Sequence, residues 1–139
     1  MSSVTAVFVN QRSEIERVVA LVERFGEEQQ LPAELVITVH LVMDELVANI
    51  ISHGYDDTAE HQIHVTLAVE DSVLTLRVED DGRPFDPLQA PPPDLDLPLE
   101  ERPVGGLGIH IVRSMMDAVE YQRNGDRNVL IMKKAIGRT

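Results

Sequence analysis

The chain has no cysteine and no tryptophan among its 139 residues. The first absence excludes disulfides and thiolate metal sites. The second, with only three Phe and two Tyr, leaves Val, Leu, Ile, Ala and Met to build the core. Basic residues are scarce. Lys and Arg number 12 against 24 Asp and Glu, a formal net charge of -12. A nucleic-acid surface wants a basic patch, so that class is disfavoured. Such a charge suits a basic protein partner, or simply solubility. No run of about 18 apolar residues is present, so no membrane span is expected. The N-terminus, MSSVTAVFVNQRSEIERV, has neither the basic start nor the apolar run of a signal peptide. A cytoplasmic location is therefore expected.

What is present fits one folded domain over residues 1–139, with an apolar fraction of 43% and a length able to bury a real core. VTAVFVN (4–10) alternates and reads as a strand. The next stretch carries Ser13 and Glu16 in capping-box spacing. Its stripe of Ile15, Val18, Val19, Val22 and Phe25 predicts a helix. Pro32 marks the start of a second helix over about 33–53, which Gly54 should end. HQIHVTLAVE and SVLTLRVED read as a hairpin about Asp71-Ser72. After DDGRPFDP comes a long segment dense in Pro and acids, at about 87–104. Loops of that length in a compact domain are usually functional. GGLGIHIVRSMM should open a third helix, and VEYQRN-GD-RNVLIMKKA should close the chain as a second hairpin. The order predicts an α+β fold: a two-layer sandwich of a mixed, mostly antiparallel sheet with helices on one face.

Three stretches carry chemistry, and each also has a plain structural reading. The first is ELVANIISHGY. Glu45, Asn49 and His53 recur at steps of four and so share one margin of the second helix. An Asn oxygen suits a hard cation already bridging phosphates, and a carboxylate one turn away can orient or deprotonate a hydroxyl. A polar helix margin would look the same. The second is DDGRPFDP. Asp80 ends an apolar strand and can accept from an amino group such as the exocyclic amine of adenine; an Asp-Gly turn would serve as well. The third is VGGLGIHIV, where Gly105, Gly106 and Gly108 let a helix N-terminus approach a phosphate closely. It lacks the Lys of a Walker motif. His61 and His64, three apart, should point to opposite faces of a strand, so no metal site is expected there. His110 reads as a core histidine.

Taken together, ELVANIISHGY, DDGRPFDP and GGLGIHIV resemble the Bergerat-type ATP-binding fold of the gyrase and histidine-kinase superfamily, over about residues 5–135. The pattern E-x-x-x-N-x-x-x-H-[AG]-Y and the short length look most like its anti-sigma-factor serine/threonine kinases. That resemblance implies ATP and Mg²⁺ as cofactors. Asn49 would be the Mg²⁺ ligand and Glu45 the general base. Asp80 would bind the adenine amine, with Gly82 making room. Gly105, Gly106, Leu107 and Gly108 would face the phosphates, and His53 and Arg102 would border the nucleotide. The 87–104 loop would be the lid. The implied partners are a sigma factor and an anti-sigma antagonist phosphorylated on Ser or Thr, with the chain acting as a homodimer. One departure stands out: the family often continues its glycine box as G-x-G, whereas here Pro84 follows Gly82-Arg83. Two other readings stay open. One is a module that sequesters a partner without phosphoryl transfer. The other is a detached histidine-kinase ATPase domain, which the absence of a phosphoacceptor helix disfavours.

Overall fold

The computed structural model describes residues 1–85 and 112–137. The 87–104 lid, Arg102, the 105–108 glycine turn and His110 lie outside those residues. The described elements run β1 (Ser2–Val9), α1 (Ile15–Glu28), α2 (Ala33–His53), β2 (Gln62–Glu70), β3 (Val73–Asp80), β4 (Ala118–Asn124) and β5 (Arg127–Ala135). Residues 112–115 are helical, inside the span where the sequence predicts a third helix. The strands form one five-stranded sheet in the order β1-β2-β3-β5-β4. Every pairing among the described strands is antiparallel, so the sheet is antiparallel rather than mixed.

Alternation explains the layering. On β2 and β3, Ile63, Val65, Leu67, Leu74, Leu76 and Val78 are buried on one face, while Thr66 and Arg77 pair across the other. Against the buried face lie Val18, Val22 and Phe25 of α1 and Leu35, Val39, Val42, Met43, Leu46, Val47 and Ile50 of α2. The β2–β3 turn is tight because Asp71 and Ser72 both take left-handed φ, 52° and 63°. Two such residues match the right-handed twist of a hairpin.

One local expectation is corrected, and the two ends of α2 gain detail. Ser13 and Glu16 form no capping box. A 3-10 turn at Arg12–Glu14 precedes α1, and the α1 N-cap is Glu14 with no side-chain cap bond. The Glu14 carboxylate instead accepts from the Val9 N–H at 3.1 Å and from Arg17 at 2.7 Å. Pro32 is the N-cap of α2, one residue before the helix proper. Gly54 does end α2, but at φ -79° rather than in the left-handed region. α2 is also long and apolar enough to cross a membrane by length and composition. Its apolar side is occupied by the core, as in the central helix of a globular domain.

Candidate functional site

The C-terminal end of α2 is fastened to the turn that follows β3. The Arg83 N–H donates to the Gly54 carbonyl at 2.8 Å. A Cβ on Gly82 would lie 2.6 Å from that same carbonyl and 2.9 Å from Asp80 Oδ1. Gly82 therefore makes room for the backbone of α2. Arg83 also pairs with Asp56 in the loop after α2, so its guanidinium is engaged.

Asp80 sits at this junction. It is 6% exposed, an unusual place for a carboxylate. Its Oδ1 accepts from the Gly82 N–H at 2.8 Å and from Asn128 Nδ2 at 3.0 Å. Burial pushes its pKa up, and those two hydrogen bonds only partly offset the shift. Among the described residues, both bonds reach Oδ1, which leaves Oδ2 for a further donor. That geometry fits an amino group of a base.

Asn128 is the residue that sequence reasoning missed. It lies directly opposite Asp80 in the β3–β5 register and is 7% exposed. Its Nδ2 also donates to the Arg83 carbonyl at 2.8 Å. Its Oδ1 accepts from Arg123 at 3.2 Å and from the Tyr121 hydroxyl. One amide thus ties β3, β4, β5 and the Asp80 turn together. The readable signal was a polar residue on the buried face of β5, in step with Leu130 and Met132. Asn128→Ala is expected to destabilise the fold by about 1–3 kcal/mol, because it strands buried partners. Urea unfolding of the two proteins measures it. A loss under a few tenths of a kcal/mol would show that Asn128 holds nothing in place.

Glu45 and Asn49 lie half-buried on the margin of α2, and His53 is exposed at its end. Asn49 is five residues before Gly54, about 7.5 Å along the axis from the Asp80 turn's anchor, and Glu45 is about 6 Å further. Among the described residues no group of three or more His, Asp or Glu side chains could hold a metal ion. The donors present therefore fit Mg²⁺ only as one brought by phosphates, with the Asn49 oxygen as a single protein ligand. Among the described residues, His64 Nε2 is buried without a hydrogen-bond partner, and His61 is held by two aspartates.

The family model for the histidine kinase-like ATPase domain matches residues 8–134. The serine/threonine-protein kinase BtrW of Bordetella bronchiseptica is 33% identical over 110 residues, covering 79% of this chain and 78% of that one. The anti-sigma F factor of Bacillus subtilis is 26% identical, covering 67% of this chain and 64% of its own. The serine-protein kinase RsbW of Bacillus thuringiensis is 28% identical, covering 67% and 60%. The chain thus spans less than two thirds of those last two. Among solved structures, the RsbU and RsbW domains of a Mycobacterium tuberculosis protein superpose with a TM-score of 0.72 at 13% identity. That match covers all of this chain and 34% of the other. The histidine kinase AdeS of Acinetobacter baumannii gives 0.52 at 14% identity, covering 99% and 70%. At such identities the superpositions speak for the fold alone.

Proposed function

We propose that this chain, which belongs to the histidine kinase-like ATPase family, is an ATP-dependent serine/threonine protein kinase that acts as an anti-sigma factor. The observation that carries the reading is Asp80. A buried carboxylate with one oxygen fixed by Gly82 and Asn128 is costly to the fold and useful to an amino-bearing base. Asp80 would accept from the adenine amine. Asn49 would contribute one ligand to Mg²⁺, which when bound neutralises phosphate charge. Glu45, one turn before Asn49, would orient the acceptor hydroxyl and take its proton. Gly105, Gly106, Leu107, Gly108, Arg102 and His53 would complete the phosphate side of the site.

The names of the relatives support the protein side of the reading. One is a serine-protein kinase and one an anti-sigma factor. The proposed partners are accordingly a sigma factor and an antagonist protein phosphorylated on Ser or Thr, with the chain as a homodimer in the cytoplasm. The test is mass spectrometry of the purified protein incubated with Mg-ATP and candidate antagonists encoded nearby. One phosphate on an antagonist Ser or Thr is expected. ATP binding without transfer to any candidate would replace the kinase with a module that only sequesters its partner.

A further inference from the structure

Beside the Asp80 turn, one imidazole bridges two carboxylates. His61 Nε2 lies 2.7 Å from Asp57 Oδ1. Its Nδ1 lies 3.1 and 3.2 Å from the two oxygens of Asp81. The ring stacks on Tyr55, with centroids 4.2 Å apart and planes at 12°. The His61 backbone is fixed as well. Its N–H donates to Asn10 Oδ1 at 2.8 Å, and its carbonyl accepts from the Asn10 N–H at 3.1 Å. The groups facing the ring are thus Asp57 and Tyr55 from the loop after α2, and Asp81 from the turn after β3. From the end of β1, the neutral Asn10 holds the His61 backbone.

This geometry dictates a charge state. An ionised carboxylate only accepts hydrogen bonds, so each ring nitrogen must donate. A neutral imidazole donates from one nitrogen and would aim a lone pair at the other aspartate. Both contacts are satisfied only by imidazolium. Asp81 directly follows Asp80, and Tyr55 directly follows Gly54. The bridge therefore spans the same two segments that the Arg83 N–H and Gly82 bring together.

We propose that His61 is a positioning residue, a proton-held latch that ties the loop after α2 to the Asp80–Gly82 turn and sets that turn's place in the site. With the proton on, the latch is closed. With it off, one aspartate faces a lone pair, and the turn keeps the Gly54–Arg83 contact, the Arg83–Asp56 pair, Arg123 and Asn128. The hydrogen bonds to Asp57 and then to Asp81 raise the His61 pKa above its ordinary 6.5. The sign follows. The contribution of the latch is fully present below the unfolded value and is lost as pH rises through the raised folded value. The consequence for ligand rests on the nucleotide-site reading above: affinity for ATP should fall by about threefold to tenfold across that transition, the worth of about one hydrogen bond.

The test is a pH titration of the ¹⁵N-labelled protein by NMR, following the His61 ring nitrogens and the amides of Asp81, Gly82 and Arg83, with ATP affinity measured at each pH. His61 should titrate above 6.5, the three amides should move with the same midpoint, and ATP affinity should fall with them. In Asp57→Asn, whose altered side chain is mostly in solvent, the midpoint should drop. In His61→Gln the pH dependence of the amides and of affinity should vanish. A His61 midpoint at or below 6.5, or amides that ignore it, overturns the latch. If ATP binds at no pH, the nucleotide reading fails, while the ring and amide titrations still decide the latch.

Discussion

Glu45→Gln is expected to lower single-turnover phosphoryl transfer by about 10²–10⁴-fold, the usual effect of losing a general acid or base, while ATP affinity changes little. Gln keeps the size of the side chain and can still accept a hydrogen bond, but it is no comparable base. The fold should not notice. Glu45 is only half-buried, and substitutions at such margins rarely cost much stability. Asn49→Ala should behave in the opposite way. It removes the proposed metal ligand and so weakens Mg-ATP binding itself. Rapid-quench transfer from labelled ATP to the antagonist, beside ATP affinity for each variant, separates the two. Transfer at the parent rate by Glu45→Gln would remove Glu45 from the chemistry.

The second large effect belongs to Asp80→Asn. Losing a hydrogen bond to a charged group costs about 1.5–3 kcal/mol, or about 10- to 150-fold in ATP affinity. The Asn oxygen can still accept from the Gly82 N–H and Asn128 Nδ2, which leaves an NH₂ where Oδ2 stood. That donor opposes the adenine amine and suits the guanine carbonyl, so the preference for ATP over GTP should relax. Stability should move the other way. Burial raises the Asp80 pKa, so the ionised side chain works against the fold at pH above that raised value. The neutral amide relieves this. At pH 7 the variant should melt no lower than the parent, even as it loses nucleotide. Calorimetric titration and thermal melts check the two halves. A variant that binds ATP normally would reduce Asp80 to a turn residue.

Much of the fold was legible in the sequence because its signals are local. The periodicity of Leu35 through Ile50 sets α2 at Ala33–His53, and alternation sets β2 and β3 on either side of Asp71-Ser72. What was hidden depends on distant partners. Ser13 has the spacing for a cap, but it lies inside a 3-10 turn, and the Glu14 carboxylate that follows it reaches back to the Val9 N–H. Gly82 reads as a turn glycine. Only the fold shows that the Gly54 carbonyl is what it must admit. Asn128 lies two residues past the Gly125-Asp126 turn, and only the β3–β5 register puts it opposite Asp80. The His61 bridge was equally invisible, since His61 lies 20 residues from Asp81 in the chain. The polar margin of α2 was legible as a margin, and its end is fastened to the very turn that carries the buried carboxylate.

The claim on which the rest depends is that Asp80 and the α2 margin form an adenine nucleotide site. Isothermal titration calorimetry with ATP, run with Mg²⁺, with EDTA and with GTP in place of ATP, tests it most directly. Saturable binding of ATP is expected, weakened by EDTA, with GTP bound worse and Asp80→Asn narrowing that difference. Absence of heat at millimolar Mg-ATP from the folded protein would contradict the account.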